Sequence, residues 1–413
     1  MSEKRLPLEE SQFIKLVSGY PKPFHLYDEK AIRENIREFK EAFSWVENFK
    51  NYFAVKALPN PSILKIMKEE GFGADCSSLA ELIMAKEVGL KGEDVMFTSN
   101  DTPTEEFKYA YDMGAIINLD DITHIEVLNS EVKIPSLISF RYNPGPDRSG
   151  NVIIGNPVEA KYGVRTNQLI GAYKRAQQLG AKRFALHTMV ASNELDASYI
   201  VETARMLFTQ ALRIYNELGI KLEFVNMGGG IGIPYKPDQS KIDLKKLGSQ
   251  IKELYDSMIK NSPLGSLNIV FECGRMITGP YGYLVSEVLH VTEKYKKFVG
   301  LDASMANLMR PALYGAYHHI TVLAKGDSKE KSVYDVTGSL CENNDKFAID
   351  RELPKIDVGD IIVIHDTGAH GHAMGFNYNG KLRSAEYLLT EDGSLKMIRR
   401  AETVDDYFAT LRF

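Results

Sequence analysis

The sequence has 413 residues, of which 44% are hydrophobic and 25% charged, and its net charge is −5. At about 150 residues per domain, this length predicts two domains or one large barrel with an addition. Charges of both signs are spread along the chain, which argues against nucleic-acid partners. The sequence contains no run of 18 apolar residues, so we predict no membrane-spanning helix.

The three cysteines, Cys76, Cys273 and Cys341, lie far apart, and none belongs to a CxxC motif. This spacing excludes a disulfide scaffold and a cysteine zinc site, and it favours a reducing compartment. The first residues, MSEKRLPLEE, contain no apolar secretory segment. We therefore expect a cytoplasmic protein.

Eight β-rich runs come first and alternate with helical patterns. Most are continuously apolar, which is typical of parallel strands buried on both faces. Eight such alternations favour a (β/α)8 barrel, although a doubly wound parallel sheet has the same periodicity. The predicted strands are 51–55, 73–77, 95–99, 115–119, 137–143, 184–189, 223–229 and 269–274.

After about residue 284 the pattern changes to short strands joined by turns such as EDGS, with no long helix before the tail. This pattern predicts a second, mostly antiparallel β domain. The expected limits are 27–284 for the barrel, and 1–26 together with 285–413 for the β domain. The predicted strands of the β domain are 285–295, 318–325, 332–338, 360–366, 384–394 and 395–402.

Functional residues of a barrel cluster just after its strands. Lys56 ends the first run, in YFAVKALPNP, among apolar residues. Partial desolvation there would lower the pKa of the amine and suit imine formation. A solvated lysine at a strand end is the competing interpretation.

Two further strand ends carry candidate binding groups. The seventh run ends in Gly228-Gly229-Gly230, whose amides can approach a phosphate, unless the glycines only allow a turn with positive φ. The eighth run ends in Glu272-Cys273-Gly274-Arg275. A carboxylate there could keep a pyridine nitrogen protonated, unless Glu272 simply pairs with Arg275.

The β domain adds a polar turn, GSLCENND, around Cys341, a context that argues against an inert buried thiol. A later segment, HDTGAHGHAMGFNYNG, contains His365, His370 and His372. Because no carboxylate or cysteine stands at ligand spacing, we predict no metal site there. His318 and His319 are interpreted as structural or interfacial.

Together these motifs resemble those of the fold-type III pyridoxal-phosphate decarboxylases, most closely the diaminopimelate-specific branch. The resemblance covers about residues 20 to 412 and rests on YFAVKA, the triple glycine, ECGR (usually EPGR), RPALYGAYH, GSLCENND (usually CESxD) and NYNG, in family order. It implies an alanine-racemase-like barrel with a β domain, pyridoxal 5'-phosphate as cofactor, and a homodimer whose active sites take their cysteine loop from the neighbouring subunit.

The resemblance also implies roles for individual residues. Lys56 would form the imine with the cofactor, Cys341 would donate the proton, and Glu342 would recognise the distal amino group. The implied substrate contacts are Arg275, Arg310, Tyr314 and Glu342. The implied cofactor contacts are Lys56, Asp75, His187, Met189, Ser192, Gly228, Gly229, Gly230, Glu272, Gly274, Arg275, His370 and Tyr378.

Two positions depart from the family pattern. The family usually has HxHIGS, whereas this chain has HTMVAS, so Met189 replaces the histidine that stacks on the cofactor ring. A thioether can still cover a ring face. The usual GAYG is GAHG here, so His370 replaces a tyrosine, and an imidazole can still donate a hydrogen bond to phosphate.

The implied reaction converts meso-2,6-diaminopimelate to L-lysine and CO2, the last step of lysine biosynthesis. The alternatives are decarboxylation of another basic amino acid (ornithine, lysine, arginine or a D-isomer), racemisation, or a catalytically inactive relative that binds a partner. GSLCENND argues against a racemase, and retention of Lys56 and Cys341 argues against an inactive relative. GGGIG lacks the GxGxxG spacing of a dinucleotide site.

Overall fold

The computed structural model describes residues 4–150, 155–323 and 330–413. Its chain contacts separate two compact units. One comprises Asn35–Ile233 and Lys241–Met276, and the other comprises Met1–Glu34, Pro234–Ser240 and Ile277–Phe413. The predicted domain limits, 27–284 for the barrel, stay a prediction.

The first unit contains a closed barrel of eight parallel strands. The strands pair in the order β5-β4-β3-β2-β10-β9-β8-β6, and β5 also pairs with β6, which closes the ring. They are β2 (Lys50–Ala54), β3 (Gly73–Cys76), β4 (Val95–Thr98), β5 (Ile116–Leu119), β6 (Leu137–Asn143), β8 (Arg183–Thr188), β9 (Phe224–Asn226) and β10 (Asn268–Phe271), with β7 (Val164–Arg165) beside β6. The predicted (β/α)8 barrel is confirmed, because an open doubly wound sheet would have no pairing between β5 and β6.

The barrel strands are buried on both faces, which explains their apolar runs. A cluster of buried side chains from seven of the strands fills the half of the barrel where the strands begin. The cluster consists of Tyr52, Met96, Ile116, Leu137, Ala185, Phe224 and Val270. Polar side chains are therefore gathered at the other end of the barrel, where the strands finish.

Six of the eight predicted strand ends of the barrel differ from the structure, and those of β3, β4 and β8 do so by one residue. Strand β2 ends at Ala54, and Lys56 lies in the 3-10 turn Val55–Ala57. Strand β9 ends at Asn226 instead of Gly229, because Gly228 has a φ of +67°, which a strand cannot continue. Strand β10 ends at Phe271, so Glu272 begins the following loop.

Helices follow the barrel strands as the alternation predicts. Each of β2, β3, β4, β5, β8 and β9 leads into a helix, and β6 does so through β7. The helices of the chain are α1 (Glu10–Ser18), α2 (Glu29–Ala42), α3 (Pro61–Glu69), α4 (Leu79–Glu87), α5 (Thr104–Met113), α6 (His124–Glu131), α7 (Thr166–Gln178), α8 (Ala197–Leu218), α9 (Leu244–Tyr255), α10 (Arg275–Thr278), α11 (Arg310–Tyr314) and α12 (Val404–Phe408).

The second unit is built on a mostly antiparallel sheet, as predicted. Its main path runs β15-β14-β12-β11-β1-β17-β18, with β16 beside β11 and β13 beside β16. Only the pairs β1–β17 and β12–β14 are parallel. The strands are β1 (Phe24–Asp28), β11 (Gly282–Glu293), β12 (Lys297–Leu301), β13 (Ile320–Leu323), β14 (Lys331–Thr337), β15 (Lys346–Pro354), β16 (Ile361–Ile364), β17 (Ala385–Leu389) and β18 (Leu395–Arg399).

The sequence interpretation missed β12 and β15, whose charged ends weaken the apolar signal. It also extended one strand to Ser394, whereas β17 ends at Leu389 and Thr390 then bonds with Asp392 and Ser394 in a turn. The end of the predicted strand 318–325 lies outside the described residues. Among the residues that the structure describes, no helix is both long and apolar enough to cross a membrane.

Candidate active site

Lys56 projects from the turn that follows β2, and its side chain is exposed rather than partly desolvated as expected. The turn lies against the loop after β10, since a Cβ atom on Gly274 would come within 2.7 Å of the Ala57 Cβ. Buried Asn51 joins the same two segments, because its side chain accepts from the Cys273 amide at 2.7 Å and donates to the Cys273 carbonyl at 3.1 Å. These contacts hold Lys56 beside the Glu272–Arg275 stretch.

Glu272 is an acid at this end of the barrel whose side chain has polar neighbours on two other strands. It is 6% exposed, accepts from Asn226 Nδ2 at 2.7 Å, and lies 3.0 Å from His187 Nε2. Burial alone would raise the pKa of this carboxyl, but the charge and hydrogen bond of His187, the Asn226 amide and the charge of Lys56 together lower it. Glu272 is therefore ionised at neutral pH.

Asp75, at the end of β3, behaves in the opposite way. It is 4% exposed, and burial followed by the negative charge of Glu272 raises its pKa well above the ordinary value, although Lys56 opposes the shift. Its Oδ1 is buried and has no hydrogen-bond partner among the described residues. The pKa values of the two acids are thus shifted in opposite directions, that of Glu272 downward and that of Asp75 upward, and the pair fits a group that brings a positive charge.

The three glycines after β9 are required by close backbone contacts. Gly228 has a φ of +67° and Gly230 a φ of +98°. A Cβ atom would lie 2.2 Å from the Thr188 carbonyl oxygen at Gly228 and 2.5 Å from the Ala191 carbonyl oxygen at Gly230. The positive-φ interpretation is confirmed for Gly228 and Gly230.

The loop after β8 lies along this glycine loop. The Gly229 amide donates to Met189 Sδ at 3.3 Å, and the Glu194 amide donates to the Gly230 carbonyl at 2.8 Å. Asn193, whose φ is +55°, accepts from the Ile233 amide at 2.9 Å. Ser192 is half-buried in the same loop. Met189 and Ser192 therefore belong to a loop that contacts the triple glycine, and their roles as cofactor contacts stay predictions.

The sequence interpretation missed several polar residues of this end. Asn226 joins Glu272 to the Gly228 amide, which donates to Asn226 Oδ1 at 2.9 Å. Arg141 forms an ion pair with Asp120 at 3.4 Å, and its guanidinium lies 3.9 Å from the Tyr162 ring centroid. Position at or just after a strand end was the available signal, since Asn226 closes β9 and Asp120 follows β5.

The second unit holds the predicted substrate residues Arg310 and Tyr314 on α11. Arg310 is 4% exposed, contacts His318 Nε2 at 2.9 Å, and lies 4.4 Å from the Tyr235 ring centroid. Because a guanidinium only donates, His318 Nε2 must accept, and His318 Nδ1 then donates to the His365 carbonyl at 2.8 Å. Tyr314, at the end of the helix, is 60% exposed.

The predicted proton donor, Cys341, is exposed in a turn of the same unit. Its amide donates to Asn379 Oδ1 at 2.8 Å, so the turn lies beside the segment that carries Tyr378. Glu342 is half-buried and accepts from the Asn344 amide at 3.1 Å. His370 is half-buried with a φ of +55° in a loop between β16 and β17.

Each unit therefore brings together its own share of the predicted residues. In the first unit Lys56, Asp75, His187, Met189, Ser192, the triple glycine, Glu272, Gly274 and Arg275 all lie where the barrel strands end. In the second unit Cys341 and Tyr378 are neighbours, and Arg310 belongs to a separate buried group. Within the described parts of the chain, no group of three or more His, Cys, Asp or Glu side chains is arranged to hold a metal ion.

Comparisons with known proteins agree with this arrangement. Residues 29–279 match the pyridoxal-binding domain of the pyridoxal-dependent decarboxylases. The chain is 44% identical to protein TabA of Pseudomonas amygdali pv. tabaci over 96% of this chain and 93% of TabA. It is 34% identical to the diaminopimelate decarboxylase of Methanothermobacter thermautotrophicus over 95% and 92% of the two chains. It also resembles the crystal structure of diaminopimelate decarboxylase from M. jannaschii in complex with L-lysine, with a TM-score of 0.89, 31% identity and coverage of 97% and 94%.

Proposed function

This chain belongs to the pyridoxal-dependent decarboxylases, the family that its motifs predict, and on that premise we propose that it converts meso-2,6-diaminopimelate to L-lysine and CO2. The observation that carries the proposal is the ionised, buried Glu272 beside Lys56 and the triple-glycine loop. The same end of the barrel gives an amine, an anion for a ring nitrogen and a glycine loop that we assign to the phosphate.

The residues present fit pyridoxal 5'-phosphate. We assign to Glu272 the role of keeping the ring nitrogen protonated, and the added positive charge would offset the repulsion by which Glu272 raises the pKa of Asp75. Gly228, Gly229, Gly230 and Ser192 suit the phosphate, and Met189 suits one face of the ring. The further proposed contacts are His187, Gly274, Arg275, His370 and Tyr378. Bound pyridoxal phosphate supplies an aldehyde that condenses with amines and a ring that withdraws electrons from the bond to the departing carboxylate.

The chain's own groups then handle the protons. Lys56 would hold the cofactor through its amine. Once CO2 has departed, a proton must return to the α-carbon, and we assign this role to the Cys341 thiol. A positioned acid contributes about 100- to 10,000-fold in rate, and it delivers the proton to one face only.

We assign substrate selection to residues of the second unit together with Arg275. Glu342 pairs with the distal ammonium group, and Arg310 pairs with the distal carboxylate, with Tyr314 beside it on α11. Arg310 is buried, so a substrate that lacks this carboxylate forgoes a charge-assisted hydrogen bond with a desolvated cation. That penalty supports a preference of roughly 1,000-fold for diaminopimelate over lysine.

We further propose that the enzyme is a homodimer whose two subunits share their active sites. We also propose that it is located in the cytoplasm. The exposure of Cys341, Tyr314 and Tyr378 supports sharing, because catalytic side chains need a surface that excludes water around them. Two free, buried thiols, Cys76 and Cys273, suit a reducing compartment.

The test is release of CO2 by the purified protein with added pyridoxal phosphate. Meso-diaminopimelate, L-lysine, L-ornithine, L-arginine and the D-isomers are compared at equal concentration. We expect kcat/KM to be about 1,000-fold higher for diaminopimelate than for lysine, and we expect Arg310→Ala to remove this preference. Lys56→Ala should lose the visible absorbance of the bound cofactor and nearly all turnover.

Two results would contradict the proposal. Faster turnover of ornithine, lysine or arginine would transfer the assignment to another basic amino acid, a change that the replacements at Met189 and His370 would then help to explain. A Lys56→Ala protein that keeps both the visible absorbance and full activity would exclude Lys56 as the cofactor lysine.

A further inference from the structure

We infer that Asn379 is a positioning residue that holds the backbone of Cys341 in place for proton return, a role that rests on the proposed function. The contact joins two loops whose residues lie 38 positions apart in the chain. Asn379 Oδ1 accepts a hydrogen bond from the Cys341 amide at 2.8 Å. The cysteine's own main chain is thus anchored, while its thiol remains exposed and able to react.

The backbone of Asn379 explains why this residue type is needed. Its φ is +53°, in the left-handed region where asparagine is several-fold enriched among non-glycine residues. Gly380, the next residue, is also left-handed, with a φ of +67°. The Lys381 amide closes the turn by donating to the Tyr378 carbonyl at 3.1 Å. Asn379 is therefore the residue of this turn that combines the required backbone conformation with a side-chain acceptor.

The base of the Cys341 turn has a different anchor. Asp345 is 2% exposed and accepts from the Leu340 amide at 2.8 Å and from the Met305 amide at 2.6 Å. A Cβ atom on Gly338 would come within 2.3 Å of an Asp345 carboxylate oxygen, so this packing is close. The base is buried and doubly bonded, whereas the tip with Cys341 is exposed, and the bond to Asn379 governs the tip.

One consequence concerns Tyr378, the residue before Asn379. Because the bond fixes the Cys341 tip to the Tyr378–Gly380 turn, the proposed proton donor and a proposed cofactor contact keep a constant separation. A hydrogen bond at an exposed turn suppresses local opening, which is the motion that would spoil this separation. Losing the bond should therefore slow the proton step more than it weakens substrate binding.

The experiment compares Asn379→Gly with Asn379→Asp in the full-length protein. Glycine adopts the left-handed conformation without strain and removes the acceptor, whereas aspartate retains an acceptor oxygen. Asn377→Gly is the matched control, since the Asn377 side chain donates to Lys381 and Glu402 and not to Cys341. The measurements are hydrogen exchange of the peptide 339–345 and the separate values of kcat and KM.

In Asn379→Gly we expect the Cys341 amide to exchange roughly tenfold faster and kcat to fall roughly tenfold, with KM changed by less than about twofold. Asn379→Asp and Asn377→Gly should stay near the unaltered protein in both measurements. Unchanged exchange or unchanged kcat in Asn379→Gly would overturn the inference, as would an equal effect of Asn377→Gly. If diaminopimelate is not turned over by the unaltered protein, the proposed function fails, whereas the exchange comparison still decides whether Asn379 anchors Cys341.

Discussion

Two groups of candidate residues, one from each unit, lie in opposite settings. In the barrel unit, Asp75 and Glu272 are 4% and 6% exposed, and desolvation and fixed partners set their protonation. In the second unit, Tyr314 is 60% and Tyr378 48% exposed, and Cys341 lies on a surface turn. The pKa shifts of the buried set are determined within one chain, whereas we expect the exposed set to be covered by a partner subunit before it can act in a water-excluded site.

The largest expected effect tests whether a second subunit covers the exposed residues Cys341, Tyr314 and Tyr378. Lys56→Ala and Cys341→Ala should each be nearly inactive, but an equal mixture should recover about a quarter of the sites after random subunit exchange. In a mixed dimer with shared sites, one site receives an intact Lys56 and an intact Cys341. Activity is measured as CO2 release, and exchange is verified with two different affinity tags.

A matched mixture controls for this result. Lys56→Ala and Glu272→Ala both alter the barrel unit, so their mixture should stay inactive at every site. If the Lys56→Ala and Cys341→Ala mixture also stays inactive although exchange is verified, the shared-site proposal is wrong, and the exposed set must be covered within one chain.

An intermediate effect concerns the buried acids. Glu272→Gln keeps an acceptor for Asn226 but removes the charge, so kcat should fall by about 100-fold or more. The pKa of Asp75 should also fall toward its ordinary value, because repulsion by Glu272 is one cause of its elevation. Infrared titration of the protonated carboxyl band in the protein without cofactor measures this shift independently of activity.

Glu223→Gln is the control for the acids, since Glu223 pairs with Arg183 where the strands begin and should leave the Asp75 titration unaltered. An unchanged carboxyl band in Glu272→Gln would show that burial alone keeps Asp75 protonated. The buried set would then lack the electrostatic coupling that distinguishes it from the exposed one.

The smallest expected effect is at Met189. Met189→His should leave cofactor affinity unchanged or improve it by up to about fivefold, because an imidazole can accept from the Gly229 amide and also stack on a ring. Met189→Leu, which loses the acceptor, should bind the cofactor slightly more weakly. Titration of the cofactor absorbance gives both Kd values, and a Met189→His protein that binds tenfold more weakly would exclude contact with the ring.

The sequence by itself determined the architecture and the identity of most candidate residues. Eight apolar runs separated by helical patterns specify parallel strands buried on both faces, and the pairing of β5 with β6 then distinguishes a closed barrel from a doubly wound sheet. Strand ends could then be searched for Lys56, Glu272 and the triple glycine. The ends of these strands differ from the predicted ends by only a few residues. At β9, the positive φ of Gly228 ends the strand earlier than hydrophobicity suggests.

Only the tertiary structure decided how those residues behave. Nothing local to Asp75 or Glu272 shows that the pKa of the first is raised and that of the second lowered, because the difference depends on partners from other strands, such as His187 and Asn226. The anchoring of Cys341 by Asn379 was equally hidden, since the two belong to separate loops. Periodicity records which way a side chain faces along its own strand, whereas hydrogen bonding and desolvation depend on neighbours that barrel closure and loop packing bring together.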